Sequence, residues 1–388
     1  MLRYSTGGES HGRALVATLE GIPAGLSLSC RNIDGELKRR QMGYGRSERM
    51  KIEKDRAEIL SGVRRGRTLA SPIVLMISNM EWPKWQITMA VEENTDSPAL
   101  TEPRPGHADL AGAIKYDFED TRDVLERASA RDTAARVAVG AICKKFLREF
   151  GIVFYSRVIQ IGRVRDRKEW QPTPDDYSLI ESSPLRCLDR EKGEQMKELI
   201  DQAKTRGDTL GGVFEVYATN LPIGLGSYTQ WDVKLDARLA QAMMSIPAIV
   251  GVEIGLGFTS AERWGSQVQD EIFYDRKGSR FFRKTNRAGG IEGGMTNGEA
   301  LIMRAAMKPI STLARPLRSV DLITKKEVKG ARERADICAV PAAAVIAEAV
   351  MAFEVAREVR EKFGGDSIGE VRRNYESYID YVAKKQAR

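Results

Sequence analysis

Apolar positions recurring every three to four residues predict three long helices. The first covers about 128–150, "ASARDTAARVAVGAICKKFLREF", where Ala134, Val137, Ala138, Ala141 and Ile142 form a stripe of mostly small residues. Small side chains let another element approach closely, so this helix is expected to be central. Gly151 stops it. The second covers 341–363, with Pro341 in its first turn and Gly364 past its end. The third covers 367–384, with Asp366 as its cap and Ile368, Val371, Tyr375, Tyr378, Ile379 and Val382 as its apolar face. Residues 384–388 read as a frayed tail. Shorter helices are expected near 33–40, 194–206, 234–246 and 297–307.

Runs rich in β-branched residues with glycine borders predict strands at 72–79, 152–162, 212–220 and 250–258. "RALVATLEGIPAGL" after the first glycines reads as a strand and a turn. Strands 152–162 and 212–220 follow one another across a polar insertion, which favours α+β over βαβ alternation. No repeat has a solenoid period. The polar stretch 163–195 reads as an excursion, so residues 1–388 are expected to form a single domain.

Charge changes this picture little. The chain has 388 residues, 61 Lys+Arg and 54 Asp+Glu, for a net charge of +7. Basic residues interleave with acidic ones, which argues against nucleic acid and leaves a pocket for anions open. Cys30, Cys143, Cys187 and Cys338 form no C-x-x-C pair, and the two histidines are far apart, so no metal site is expected. Scattered thiols fit a reducing cytoplasm. "MLRYSTGGES" lacks the apolar core of a signal peptide. "AVPAAAVIAEAVMAF" is interrupted by Glu348 and is too short to span a bilayer, so no membrane partner is expected.

Candidate chemistry gathers in glycine- and charge-rich stretches. In "RRQMGYGRSERM", Arg39, Arg40, Arg46 and Arg49 surround a Gly-Tyr-Gly turn. They form either a guanidinium clamp for carboxylate or phosphate or an exposed basic loop. His107 lies in "RPGHAD", His11 in "TGGESHG". Each sits in a glycine-bordered turn and is a structural residue or a proton-transfer group. "NRAGGIEGGMTNG" and "MKPIST" are either ordinary turns or backbone cradles for a flavin or nucleotide phosphate. Asp336, shortly before a helix, is either a dipole-favoured acid or a catalytic one. Gly8, Ser10 and Gly12 spell G-x-S-x-G, the letters of a serine-hydrolase elbow. That elbow needs a preceding strand and a following helix, and no oxyanion motif precedes this serine. A serine hydrolase using Ser10 and a non-catalytic anion- or nucleic-acid-binding module are the competing readings.

Taken in order, "GESHG", "RRQ-x-GYGR", "RPGHAD", "RASAR-x-T", "AGGI-x-GG", "KPIST" and "R-x-D" closely resemble the chorismate synthase family along nearly the whole chain. The resemblance implies a β-α-β sandwich, a helical core between antiparallel sheets, assembled as a homotetramer. It implies an anti-1,4-elimination of phosphate from 5-enolpyruvylshikimate 3-phosphate, giving chorismate in the shikimate route to aromatic amino acids. Reduced FMN is the implied cofactor, with FAD and NADP among the nucleotides associated with the family. NADPH is an implied source of reductant, and an external flavin reductase the implied partner.

Site residues follow by motif match. Arg40, Arg46, Arg49, Arg131 and Arg334 are expected to bind substrate anions, Arg40 and Arg46 also NADP. His11 is expected beside the leaving phosphate as general acid, and His107 near flavin N1. Asp336, relayed through Ser10, is expected to take a proton from flavin N5. Flavin contacts are expected from Arg127, Ala128, Ser129, Pro247, Ala248, Gly293, Lys308, Pro309, Ile310, Ser311, Thr312 and Arg334. The chain departs from the family pattern at Ser47-Glu48, Asp132, Pro247 and Ala335. Glu48 is expected to alter charge at the pocket mouth, and Pro247 removes a side-chain contact but not a carbonyl.

Overall fold

The computed structural model describes residues 1–47, 49–92 and 97–388. The departure at Glu48 therefore lies outside the described residues. Helices are α1 (Cys30–Gln41), α2 (Thr133–Arg148), α3 (Arg190–Arg206), α4 (Leu235–Met244), α5 (Val340–Phe363) and α6 (Ile368–Ala387). The strands of the two main sheets are β1 (Arg3–Gly7), β2 (Ala14–Glu20), β3 (Glu58–Ile59) and β4 (Ile73–Ser78), then β5 (Val153–Ile161), β6 (Val164–Arg165), β7 (Gly212–Thr219), β8 (Ile249–Ile254) and β9 (Leu301–Met307).

The first sheet has the order β1-β2-β4-β3 and the second β8-β9-β7-β5-β6, all neighbours antiparallel. Alternation sets the buried face of the first sheet. Leu15, Ala17 and Leu19 pair with Ile77, Leu75 and Ile73, and all six are buried. Helix α2 packs on β2 and β4, helix α5 packs on β5 and β7, and the two helices pack on each other. The layers are therefore sheet, helices, sheet. This is the expected sandwich with a helical core.

Helix α5 is buried around nearly its whole circumference, as a helix enclosed by protein must be. Its one fully enclosed carboxylate, Glu348, accepts hydrogen bonds from both terminal nitrogens of Arg39, from Lys144 and from Ser156. Burial pushes its pKa up, but the charges of Arg39 and Lys144 outweigh that and hold it well below the usual carboxylate range. The network pins the end of α1, so that the next residue, Arg40, enters the site described below.

Several local expectations are corrected. Residues 301–307 form a strand, not a helix: "LIMRAAM" alternates buried and part-buried positions and bonds to both β7 and β8. Helix α2 begins at Thr133, because Ser129 instead caps a 3₁₀ turn at Ala130–Asp132. Helix α6 is capped by Ser367, whose side chain accepts from the Glu370 amide, rather than by Asp366. The same helix continues to Ala387, through the stretch read as a frayed tail. The 163–195 stretch carries a helix at Pro174–Ser182 and buries Trp170 against Tyr217, with ring centroids 4.9 Å apart. No helix among the described residues is long and apolar enough to cross a membrane.

Candidate active site

Loops at one side of the helical core enclose a cavity of about 430 Å³. Both histidines of the chain line it. So do Ser10, Asp336, Arg40, Arg46, Arg49, Arg131, Arg334, Ala128, Ser129, Pro247, Ala248, Lys308, Ile310, Ser311 and Thr312. These residues are contributed by segments as distant in sequence as 10–11 and 333–339. Three expected contacts lie elsewhere. Arg127 donates to the carbonyls of Thr6 and Gly8 and pairs with Asp132 at 3.0 Å. The departure at Asp132 thus serves to hold Arg127 and, through a 2.9 Å bond, the Thr6 hydroxyl. Pro309 does not line the cavity, and Gly293 lies in the hairpin turn between Ile291–Glu292 and Met295–Thr296.

Each histidine is held by a carboxylate on its Nδ1. His11 Nδ1 lies 2.8 Å from Glu126 Oε1, and the His11 amide donates to Glu126 Oε2 at 2.8 Å. The ring stacks on Trp85 with centroids 3.9 Å apart. Burial raises the Glu126 pKa, but its bonds and charge interaction with His11 more than reverse this. His107 Nδ1 lies 2.5 Å from Asp109 Oδ1, and Arg104 spans both oxygens of that buried aspartate. Bonds from His107 and Arg104 overcome the effect of burial and hold Asp109 far below the usual range. A carboxylate on Nδ1 fixes each ring and leaves His11 Nε2 for chemistry, whereas Arg104 Nη2 lies 3.3 Å from His107 Nε2. Sequence reading missed Glu126, because it lies 115 residues from its histidine. Asp109 was visible within "RPGHAD", but nothing in the letters marked its bond to His107.

The arginines rest on a tier of acids. Arg40 donates to Asp55 Oδ2 at 2.7 Å and Arg131 to Asp55 Oδ1 at 2.5 Å. Arg131 also donates to Asn79 Oδ1 at 2.9 Å. Arg49 donates to the Ser10 hydroxyl at 2.8 Å and to its carbonyl at 2.6 Å, with Glu81 3.2 Å from its Nε. Arg334 donates to both oxygens of Glu81. Burial lowers the pKa of Arg40 and Arg49, and each is further disfavoured by the charge on Arg131. An arriving anion relieves that cost.

Asp336 accepts from the Ser47 amide at 2.6 Å and lies 3.2 Å from Arg46 Nε. Ser10 instead receives bonds from Arg49 and Ser129. Ser10 and Asp336 share the cavity, but no hydrogen bond joins them. The G-x-S-x-G reading also fails on geometry. Ser10 is followed by strand β2 rather than a helix, and neither histidine bonds to it.

The residues present fit a flavin phosphate and an anionic substrate. The cavity volume is in the range of small-molecule sites. Gly106, Ala128, Ala248 and Ala335 leave room along its wall. Ala248 takes a positive φ of 66° and offers its carbonyl to the Lys308 amide, fixing the start of the 308–312 segment. Arg40 Nε is buried without a partner, while Arg46 Nε, Arg49 Nε and Arg131 Nη2 make no well-formed hydrogen bond and lie 3.2 Å, 3.2 Å and 3.7 Å from the carboxylates of Asp336, Glu81 and Glu53. Buried donors without a well-formed hydrogen bond are costly, and an anion in the cavity would supply acceptors for them.

The family model for chorismate synthase matches residues 2–359. The chorismate synthase of Geobacter sulfurreducens is 57% identical over 98% of this chain and 99% of its own length. That of Aquifex aeolicus is 56% identical over 98% of both chains. A crystal structure titled as chorismate synthase superposes with a TM-score of 0.80 at 46% identity, covering 99% of this chain and 98% of that one. The ordered motifs, the layered fold and the match along nearly all of its length establish that this chain belongs to the chorismate synthase family.

Proposed function

We infer that this chain catalyses the loss of phosphate from 5-enolpyruvylshikimate 3-phosphate to form chorismate. The carbon–oxygen bond to phosphate breaks, a ring carbon on the opposite side loses its hydrogen, and a second ring double bond results. The observation that carries the reading is the meeting of both histidines and six arginines in one cavity. A substrate with two carboxylates and one phosphate calls for such a set. Charge-assisted hydrogen bonds contribute roughly 1.5–3 kcal/mol each.

The arginines orient the substrate and offset charge growing on the departing phosphate. His11, held by Glu126 and Trp85, donates the proton that phosphate needs on leaving. His107, its ring fixed by Asp109 and Arg104, faces the cavity as the second proton-transfer group. Asp336, held by the Ser47 amide and Arg46, is the acceptor for the proton that the ring carbon ultimately gives up, matching the one His11 hands to phosphate, and Ser10 positions Arg49. Lys308, Ser311 and Thr312 hold the phosphate end of FMN, and Ala128, Ser129, Pro247 and Ala248 its ring system. When bound, reduced FMN supplies the electron-rich acceptor that a C–H bond of such low acidity requires. Family membership supports a homotetramer in the cytoplasm, fed by an external flavin reductase that draws on NADPH.

Fluorescence titration tests the cofactor assignment. FMN is expected to bind the wild-type protein, and Lys308→Ala to weaken that binding by about tenfold. Equal FMN affinity in Lys308→Ala would reject the 308–312 segment as its phosphate site.

A further inference from the structure

One acid has no place in the chemistry above yet occupies the centre of the arginine cluster. The Asp55 side chain is fully buried and bridges two guanidiniums from different elements, one oxygen to each. Arg40 comes from the last turn of α1, and Arg131 from the 3₁₀ turn before α2. The aspartate is itself clamped. Its amide donates to Gln41 Oε1 at 3.1 Å, and Gln41 Nε2 donates to the Glu53 carbonyl at 2.6 Å. Asp55 therefore takes the inner N–H groups of both arginines. Thr133 and Asn79 take further ones, Arg131 Nη2 lies 3.7 Å from Glu53 Oε2, and Arg40 Nε remains without a partner.

We propose that Asp55 is a positioning residue for substrate binding: it holds Arg40 and Arg131 at the spacing the substrate's anionic groups require. The proposal rests on the phosphate-elimination reading. It makes a prediction opposite in sign to simple electrostatics. Asp55 places a negative charge beneath a site for a trianion, so Coulomb attraction alone says that neutralising it strengthens binding. Positioning says the reverse. In Asp55→Asn the amide NH₂ replaces one acceptor oxygen and meets a guanidinium donor, so one arginine loses its anchor and the two cations repel.

The test measures steady-state KM and kcat for 5-enolpyruvylshikimate 3-phosphate with reduced FMN, beside FMN affinity. Asp55→Asn is expected to raise KM about 10–100-fold, with a much smaller change in kcat and FMN affinity within twofold of wild type. Gln41→Leu removes the clamp but keeps every charge, and is expected to raise KM several-fold in the same direction. Gln41→Leu also decides the matter if Asp55→Asn does not fold. An unchanged or lower KM in folded Asp55→Asn, or an unchanged KM in Gln41→Leu, overturns the proposal while leaving the reaction in place. A wild-type protein that fails to turn over the substrate takes the functional reading and this proposal down together.

Discussion

Replacing His107 by alanine is expected to lower kcat by roughly 10²–10⁴-fold, the usual contribution of a positioned proton-transfer group. Substrate affinity should change far less. The structure supports that separation. Asp109 keeps Arg104 as a buried partner through two side-chain bonds when the imidazole is gone, so no carboxylate is stranded. Arg104 also keeps its bond to Thr312 at 2.9 Å, so the 308–312 segment stays in place. The loss should therefore appear in single-turnover rates at saturating substrate. An unchanged rate would remove His107 from the chemistry.

The largest effect on stability is expected at Gly140, in the middle of α2. Alanine there is favoured by helix propensity, by about 1 kcal/mol. Packing opposes it more strongly. A Cβ at this position would lie 2.3 Å from Ala349 Cβ, 2.5 Å from Ala349 Cα and 2.7 Å from the Ala349 carbonyl oxygen. Two of these atoms are backbone, so α2 and α5 must separate along their length. Overpacking of a core costs about 1–3 kcal/mol and more where backbone must move. Gly140→Ala is expected to lose about 2–4 kcal/mol net in urea denaturation. A variant as stable as wild type would contradict the close approach of the two helices.

This contact shows what the sequence made legible. The small-residue stripe on 128–150 announced a helix that another element approaches closely, but not that its partner was the helix at 340–363. The motifs announced the site's side chains, since glycines, histidines and arginines cluster visibly in the letters. Their supports were not visible. Glu126 and Asp55 look like ordinary acids until folding brings each to a residue in another element. Residues 297–307 misled because "LIMRAAM" suits a helix in isolation, whereas two neighbouring strands supply its backbone bonds. Arg127 and Gly293 were carried by motif alone. Arg127 spends its guanidinium on β1 and Asp132, and Gly293 turns a hairpin away from the cavity wall.

A phosphate elimination in one cavity that depends on reduced flavin is the proposed activity. Its most direct test is anaerobic mixing of the protein with 5-enolpyruvylshikimate 3-phosphate and chemically reduced FMN. Phosphate and chorismate are expected in equal amounts, with many turnovers per flavin, and neither product with oxidised FMN or without flavin. Phosphate released without flavin, or no release from a protein that binds both ligands, would contradict it.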